Sequence, residues 1–330
     1  MSSNLSKGLV IKSQSGFYTI YTDDGKEITA SLRGRLKKER QEATIVAVGD
    51  QVKWQILDDG SYVIEEVSER TRALSRLKPL ASGRGSRRWD RKGYLREREQ
   101  VIIANPDQVV FVIACANPTP RFKMLDRLLV GAERQDIPIL ICVNKVDLIG
   151  QHQASELFKI YETIGYAVIY TSAEERWHLD ELRSHLEGKI SALIGPSGVG
   201  KSSLLNALEP DLGKRVMKVS QFTGKGKHTT TVAEMVPLAM GGWVADTPGI
   251  RALALFDLDP EEIDAYFPDI APFVPDCQFS DCSHKVEPGC AVIQALQQGL
   301  ISEHRYESYV RLHLEHQKLA DMYWWGIEEE

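Results

Sequence analysis

The sequence predicts a multidomain protein with a small N-terminal β-barrel, a central parallel α/β domain and a C-terminal metal-binding module with helices. Short runs of strand-forming residues separated by turn signals predict the barrel. Continuous apolar runs that alternate with amphipathic segments predict the α/β domain. Three cysteines and one histidine close together near the end predict the module. The predicted boundaries are residues 1–72 for the barrel, 73–104 for a basic linker, 105–256 for the α/β domain and 257–330 for the module and helices.

The composition is typical of a globular chain that stays in the cell. Its 330 residues are 43% hydrophobic, enough for a large core in two or three domains. The longest apolar stretch, Val109 to Ala116, is too short to cross a bilayer, and residues 1–15 lack a signal pattern. The odd number of cysteines indicates a reducing compartment. We therefore expect a cytoplasmic protein, and nothing in the sequence calls for more than a monomer.

The N-terminal region has the spacing of a small barrel. About five strands fit between its turn signals, which favours an OB-fold, a five-stranded barrel that often binds oligonucleotides. An SH3-like barrel would give much the same pattern. The strand-like runs are Phe17 to Tyr21, Ile28 to Leu32, Val48 to Leu57 and Tyr62 to Val67.

Two basic clusters near the barrel predict contact with RNA. One lies between two barrel strands, from Arg33 to Arg40, and the other runs from Arg70 to Arg98 through a predicted mobile loop that includes Trp89 and Tyr94. Basic side chains neutralise phosphates, and aromatic rings stack on unpaired bases. A solvated linker would have a similar composition, and the net charge of −6 argues weakly against a nucleic-acid partner. Because the two clusters lie next to a predicted OB-type barrel, RNA contact is the favoured interpretation.

The central region alternates buried strands with helices, which predicts a parallel sheet covered on both faces. Ligands of such sheets bind at the carboxyl ends of the strands, and the nucleotide motifs of this chain fall there. The predicted strands are Val109 to Ala114, Ile139 to Val143, Ala167 to Thr171 and Ile190 to Ile194, and the predicted helices include Arg121 to Arg134 and Ser155 to Ile164.

A phosphate-binding loop follows the strand that ends at Ile194. Its glycines let backbone N–H groups close around phosphates, Lys201 would meet the β and γ groups, and Ser202 would bind magnesium. The helix predicted to begin near Lys201 points its positive end at them. The predicted nucleotide-binding residues of this loop are Gly195, Pro196, Ser197, Gly198, Val199, Gly200, Lys201, Ser202 and Ser203.

Two further loops predict guanine as the base. Asp147 can accept two hydrogen bonds from guanine, a donor pattern that adenine cannot present. This motif precedes the phosphate loop, the reverse of an ordinary small GTPase, so the domain is predicted to be a circularly permuted P-loop GTPase. The predicted guanine-binding residues are Asn144, Lys145, Val146 and Asp147 in one loop and Thr171, Ser172 and Ala173 in the next.

Two segments after the phosphate loop are expected to sense the γ-phosphate. The glycine-rich run from Gly224 ends in hydroxyls, of which Thr230, or else Thr231, is expected to bind magnesium together with Ser202. Asp246 would hold magnesium through water, and Gly249 would offer its N–H to the γ-phosphate.

Two interpretations are open for the residue that orients the attacking water. Ile250 stands where Ras-like enzymes have a glutamine, so intrinsic hydrolysis should be slow unless a partner orders the switch. His228 could position the water, although it could equally be a polar loop residue. The predicted catalytic residues are Lys201, His228, Thr230, Thr231 and Gly249.

The C-terminal cluster has the composition of a structural zinc site. Three thiolates and an imidazole complete a tetrahedral shell with no open position, and such a site can stabilise a small module. The predicted ligands are Cys277, Cys282, His284 and Cys290. A helix from Ser302 to Tyr323 is expected to pack on the module, with His304, His313 and His316 on its surface.

Taken together, these motifs resemble those of the bacterial ribosome small subunit-dependent GTPase A family over nearly the whole chain. The resemblance implies an assembly factor that binds a late small ribosomal subunit and its rRNA, hydrolyses GTP when that subunit stimulates it, and then leaves. It also implies Mg²⁺ with GTP and one structural Zn²⁺. The motifs that carry it are Asn144 to Asp147, Thr171 to Ala173, Gly195 to Ser202, Gly224 to Thr231, Asp246 to Gly249 and the Cys-Cys-His-Cys set.

Two other functions remain compatible with the residues alone. The chain could be a GTP-gated RNA-binding regulator without meaningful turnover. It could instead be a GTPase that acts on a protein or on a non-ribosomal RNA such as tRNA. Fold analogy does not choose among these functions.

Overall fold

The N-terminal region is a closed five-stranded barrel. The computed structural model describes residues 5–34, 36, 44–77, 99–214, 216, 234–246 and 258–325. Strand order is β1-β2-β3-β5-β4, β4 pairs with β1, and β3 and β5 are parallel. This closed order with one parallel pair confirms the OB-type barrel and excludes an SH3-like meander. The strands are β1 Ser6–Gln14, β2 Phe17–Thr22, β3 Glu27–Leu32, β4 Gln51–Ile56 and β5 Tyr62–Val67.

The barrel is filled by small and branched apolar side chains. Val10, Ile20 and Ile64 are each fully buried, because alternate residues of a strand point to the same face. Phe17 is largely exposed on the opposite face, and Ile56 is largely exposed at the end of β4. Arg33, which the sequence places in a basic cluster, forms an ion pair with Glu65.

The predicted basic linker begins and ends as strands. β6 (Ala73–Leu77) and β7 (Glu99–Ala104) form an antiparallel ribbon, and Leu74 and Ile103 are buried in the core of the central domain. Most of the predicted loop, with Trp89 and Tyr94, lies outside the described residues.

Arg70 and Arg72 do not belong to a mobile loop, and that part of the prediction is wrong. Arg70 donates to both carboxylate oxygens of the buried Asp50 at 2.7 Å. Arg72 donates to the carbonyl of Asp136 at 2.6 Å. Each guanidinium therefore has a fixed partner: Arg70 fastens the start of the linker to the barrel, and Arg72 fastens it to the central domain.

The central domain is a six-stranded sheet in the order β10-β9-β8-β11-β13-β12. All its pairs are parallel except that of β12 with β13. The sheet confirms the permuted GTPase fold, since the strand leading into the phosphate loop, β11, lies at its centre yet is the fourth of its six strands along the chain. Its strands are β8 Gln108–Ala114, β9 Ile139–Asn144, β10 Ala167–Tyr170, β11 Ile190–Ile194, β12 Met235–Pro237 and β13 Trp243–Asp246, and its helices are α1 Phe122–Glu133, α2 Gln151–Thr163, α3 Leu179–Leu186 and α4 Lys201–Leu208.

The C-terminal module is built from short helices over a separate apolar cluster. Ile263, Phe267 and Ile270 are fully buried against Tyr309 and Leu312 of the last helix. None of the helices in the described ranges is both long and apolar enough to span a membrane. The helices are two 3₁₀ segments, Pro260–Tyr266 and Ala271–Asp276, followed by α5 Ala291–Gln297 and α6 Glu303–Trp325.

Two histidines of α6 are buried, contrary to the prediction that they lie on the surface. His313 is 6% exposed and His316 is 3% exposed, whereas His304 is partly exposed. The helix packs against the module on one side and against α1 on the other, so it has less free surface than its polar sequence indicates.

A buried charged cluster joins the module to the central domain. The Arg305 side chain of α6 is fully buried and donates to Asp126 of α1 at 2.6 Å and to Asp269 of the module at 2.8 Å. Asp126 also accepts from Ser308 and, at 2.9 Å, from Tyr161. Burying these charges is costly unless every partner is in place, so the cluster specifies one arrangement of the two bodies.

Candidate nucleotide-binding site and metal centre

The predicted nucleotide motifs converge at one edge of the central sheet. Asn144 is the last residue of β9, Thr171 follows β10, and Gly195 follows β11. Asp246 ends β13 and lies opposite Leu193 of β11 in the sheet register. Because these strands are parallel, their carboxyl ends meet and form one ligand-binding crevice.

Two glycines of the phosphate loop are fixed by close packing. Gly200 has a φ of +96°, and a Cβ atom there would lie 2.4 Å from the side-chain nitrogen (Nδ2) of Asn144. A Cβ atom on Gly195 would lie 2.1 Å from the carbonyl oxygen of Val112. Larger residues at either position would therefore push the loop away from its neighbours.

The phosphate loop leads directly into α4. Lys201 is the first residue of that helix, and its ammonium group donates to the carbonyls of Gly195 at 2.6 Å and Pro196 at 3.2 Å. Ser202 is half-buried, and Ser203 and Ser197 are exposed. The first N–H groups of α4 lack acceptors within the helix, so they and the ammonium group suit an anion held above the loop.

One buried amide links all three nucleotide loops. The Asn144 side chain donates to the carbonyl of Val199 in the phosphate loop at 2.9 Å. Its oxygen accepts from the backbone N–H of Ala173 at 3.2 Å and from the Thr171 hydroxyl at 3.4 Å. Asn144 therefore fixes the distance between the predicted base-binding loops and the phosphate loop.

The acidic residue predicted to recognise guanine is oriented by the neighbouring loop. Asp147 lies in a short 3₁₀ turn, Val146–Leu148, whose first residue is fully buried. One Asp147 carboxylate oxygen accepts the hydroxyl of Ser172, and the Ser172 hydroxyl accepts the N–H of Glu175 at 3.0 Å. The carboxylate is thus held in place at the edge of the crevice.

Two residues that the sequence analysis missed support Lys145. This lysine has a left-handed backbone, with φ of +65°, and its ammonium group donates to the carbonyl of Asn117. The Cys115 thiol donates to the carbonyl of Lys145 at 3.0 Å, and burial raises the pKa of that thiol, which keeps it protonated as a donor. Their position just after β8, at the same sheet edge, is the signal that could have found them.

Several predicted site residues lie outside the described ranges. These are His228, Thr230, Thr231, Gly249 and Ile250. Of the predicted magnesium ligands, Asp246 ends β13, and Ser202 lies in the first turn of α4, which follows the adjacent strand β11. Hydroxyl and carboxylate oxygens are the donors that magnesium prefers.

The four predicted zinc ligands converge in space. Their ligand atoms all lie within 4.8 Å of one another. The Nδ1 atom of His284 is 3.5 Å from the sulfur of Cys277 and 3.4 Å from that of Cys290, and these two sulfurs are 3.9 Å apart. Tetrahedral zinc with its usual bond lengths gives about 3.5 Å between N and S and about 3.8 Å between S and S. The cluster therefore fits one Zn²⁺ with Cys282 as the fourth ligand.

The surroundings of the cluster orient its histidine. His284 Nε2 contacts a carboxylate oxygen of Asp264 at 3.0 Å, which leaves Nδ1 for the metal. The Tyr306 hydroxyl donates to the carbonyl of His284 at 2.8 Å. Burial alone would raise the pKa of Glu287. Hydrogen bonds from Ser283 and nearby backbone N–H groups outweigh burial and hold that pKa well below its ordinary value. The charged carboxylate of Glu287 thus stabilises the turn between the ligands His284 and Cys290.

Two family models match this chain. The model described as RsgA GTPase matches residues 88–256, and the one described as RsgA N-terminal domain matches residues 7–64. Among curated relatives, a Gemmatimonas aurantiaca protein named small ribosomal subunit biogenesis GTPase RsgA is 41% identical and covers 92% of this chain and 95% of its own. A Moorella thermoacetica protein of the same name is 39% identical, again over 92% and 95%.

Two solved structures share the whole architecture. The crystal structure of YjeQ from Thermotoga maritima superposes with a TM-score of 0.74 at 32% identity and covers 95% of this chain and 99% of that one. YloQ, described as a circularly permuted GTPase, gives 0.70 at 31% identity over 96% of both chains. The similarity extends beyond the central sheet to the barrel and the C-terminal module.

Proposed function

This chain belongs to the RsgA GTPase family, and on that premise we propose that it acts on the small ribosomal subunit late in maturation. It is a GTPase, as its family and relatives show. In the proposed cycle the subunit stimulates hydrolysis of GTP, and hydrolysis releases the protein. The names of the relatives, which refer to small-subunit biogenesis, support the choice of this partner. We place the cycle in the cytoplasm and assign it to a monomer.

The observation that carries the nucleotide-binding part of the proposal is the buried side-chain amide of Asn144, which ties the guanine loops to the phosphate loop. In this arrangement Asp147 would accept the two guanine donors, and the loop of Thr171, Ser172 and Ala173 would offer a backbone N–H to the guanine oxygen. Lys201 and the first N–H groups of α4 would hold the β- and γ-phosphates. Discrimination between GTP and ATP would then lie in the Asp147 contacts.

Magnesium would be held by Ser202, by Thr230 or Thr231, and through water by Asp246. When bound, the ion neutralises charge that develops on the phosphates during hydrolysis. Gly249 would donate its N–H to the γ-phosphate, and His228 would position the attacking water, since Ile250 has no polar group for this task. Stimulation would come from a partner that orders these residues.

The N-terminal barrel and the C-terminal zinc module would each bind the small subunit. The barrel, with its exposed Phe17 and the basic residues near it, would contact rRNA through phosphate neutralisation and stacking. The zinc module would provide a second contact, so that a change in either one alters a bivalent attachment. One bound Zn²⁺ would keep that module folded.

The test measures binding of small subunits in the presence of a non-hydrolysable GTP analogue and in the presence of GDP. We expect the wild-type protein to prefer the analogue state by roughly tenfold or more. Thr230→Ala or Thr231→Ala, whichever removes the magnesium ligand, should abolish that preference, whereas the neighbouring Thr229→Ala should keep it. Equal binding in both states by all four proteins would contradict nucleotide-coupled release.

A further inference from the structure

Strand β1 of the barrel sends one side chain into the central domain. The pairing of β1 with β2 shifts register between Val10 and Lys12, which makes Ile11 a bulge residue. Bulges redirect side chains, and here Val10 points into the barrel core while Ile11, 5% exposed, belongs to the core of the central domain. The barrel wall is therefore shaped to meet the neighbouring sheet.

The same stretch of β1 is paired with the chain that enters β12. Lys12 forms an antiparallel β-bridge with Glu234, and its ammonium group lies 2.7 Å from the Glu234 carboxylate. Met235, the next residue, is buried in the same apolar cluster as Ile11. A second contact lies on the neighbouring strand, where the ring of Tyr21 meets that of Trp243 edge-on at 5.0 Å between centroids.

Both contacts fall on the hairpin that connects the two predicted γ-phosphate sensors. Glu234 comes three residues after Thr231, the last hydroxyl of the first sensor. Trp243 begins β13, and that strand ends at Asp246, where the second sensor starts. A displacement of either sensor would act on the chain that enters β12 or leaves β13. The barrel is bridged to Glu234, directly before β12, and packed on Trp243 of β13.

We propose that the β12–β13 hairpin transmits the nucleotide state to the barrel through the Lys12–Glu234 contact. Lys12 and Glu234 act as positioning residues, since neither is expected to touch the nucleotide. The ion pair is partly exposed, with 35% and 25% of the two side chains accessible, so it can break and re-form as the hairpin shifts. The inference rests on the proposed role of the two sensors.

The test is hydrogen exchange of the barrel strands in the full chain, without ribosomes. With magnesium and a non-hydrolysable GTP analogue, amides of residues 6–22 should exchange more slowly than with GDP. Lys12→Glu should remove most of that difference, and the charge-swapped pair of Lys12→Glu with Glu234→Lys should restore it. Lys53→Glu is the matched control, because Lys53 of β4 pairs at 2.6 Å with Glu66 of β5, so this exposed ion pair joins two barrel strands and does not involve the hairpin.

The outcomes separate this inference from the proposed function. A wild-type protein whose barrel exchanges equally in both nucleotide states overturns the inference, even if small subunits stimulate turnover. So does a Lys12→Glu variant that keeps the full difference. If the difference is present and follows the charge swap but small subunits do not stimulate turnover, the coupling stands and the ribosomal assignment fails.

Discussion

At the residue scale, the site depends on side chains whose partners come from other loops. Asn144 and Asp147 were found from the sequence because guanine recognition needs their chemistry at a fixed spacing. Cys115 and Asn117 were not found, because a thiol and a backbone carbonyl that support Lys145 have no motif of their own. Motif reasoning finds groups that face the ligand and misses those that hold them.

Asp147→Asn should change the preferred base. The substitution removes two charge-assisted hydrogen bonds to guanine, which should weaken GTP binding by roughly 10² to 10⁴-fold. Xanthine has a carbonyl where guanine has its amino group, so the new amide N–H can donate to xanthosine triphosphate. Nucleotide titrations should show that preference reversed, whereas the exposed Asp180→Asn should bind GTP normally. Equal loss of both nucleotides would contradict this role.

His316 should make folding sensitive to acid. Burial lowers its pKa to about 4, below the usual value of the unfolded chain. A histidine with a depressed pKa contributes stability that is complete above about pH 6.5 and is lost as pH falls towards 4. Between pH 7.5 and pH 5 this residue should cost about 2 kcal/mol of unfolding free energy.

Denaturant unfolding of the wild-type protein and of His316→Gln at the two pH values measures the contribution of His316 to the free energy of unfolding. The variant should lose about 2 kcal/mol less than wild type over this interval. Comparison of the two proteins removes the acid sensitivity of the zinc thiolates, which both share. Identical pH dependence in both proteins would show that His316 does not titrate in this way.

At the element scale, most strands and helices follow from the sequence, but the packing of α6 does not. The continuous apolar runs predict the central strands to within a residue or two, because strands buried on both faces of a parallel sheet need continuous apolar sequence. The α6 sequence is rich in charged and polar residues, and this led to the wrong exposure for His313 and His316. The buried Arg305 is hidden from pattern reasoning, since arginine is rarely buried without specific partners.

Arg305→Met should destabilise the protein far more than loss of a neighbouring surface pair. It would leave Asp126 and Asp269 buried without their cation, at a cost of about 3–5 kcal/mol of unfolding free energy. The matched control is Arg127→Ala on α1, next to Asp126, which breaks a partly exposed pair with Glu315 of α6 and should cost less than about 1 kcal/mol. Similar costs for the two variants, measured by denaturant unfolding, would contradict the importance of the buried cluster.

At the scale of the whole molecule, the sequence predicted the three bodies and the permuted order of the motifs. It could not predict how the bodies meet, because Lys12 with Glu234 and Arg72 with Asp136 are pairs that only the folded chain brings together. The fold places the barrel against the β12–β13 hairpin and the zinc module against α1. Both outer bodies are thus attached to elements of the nucleotide domain.

The measurement that tests the central claim most directly is GTP turnover by the purified protein alone, with small ribosomal subunits, and with large subunits as the control. We predict slow turnover by the protein alone, strong stimulation by small subunits and none by large ones. Tight GTP binding without stimulation by small subunits would contradict the claim that this GTPase acts on the small ribosomal subunit.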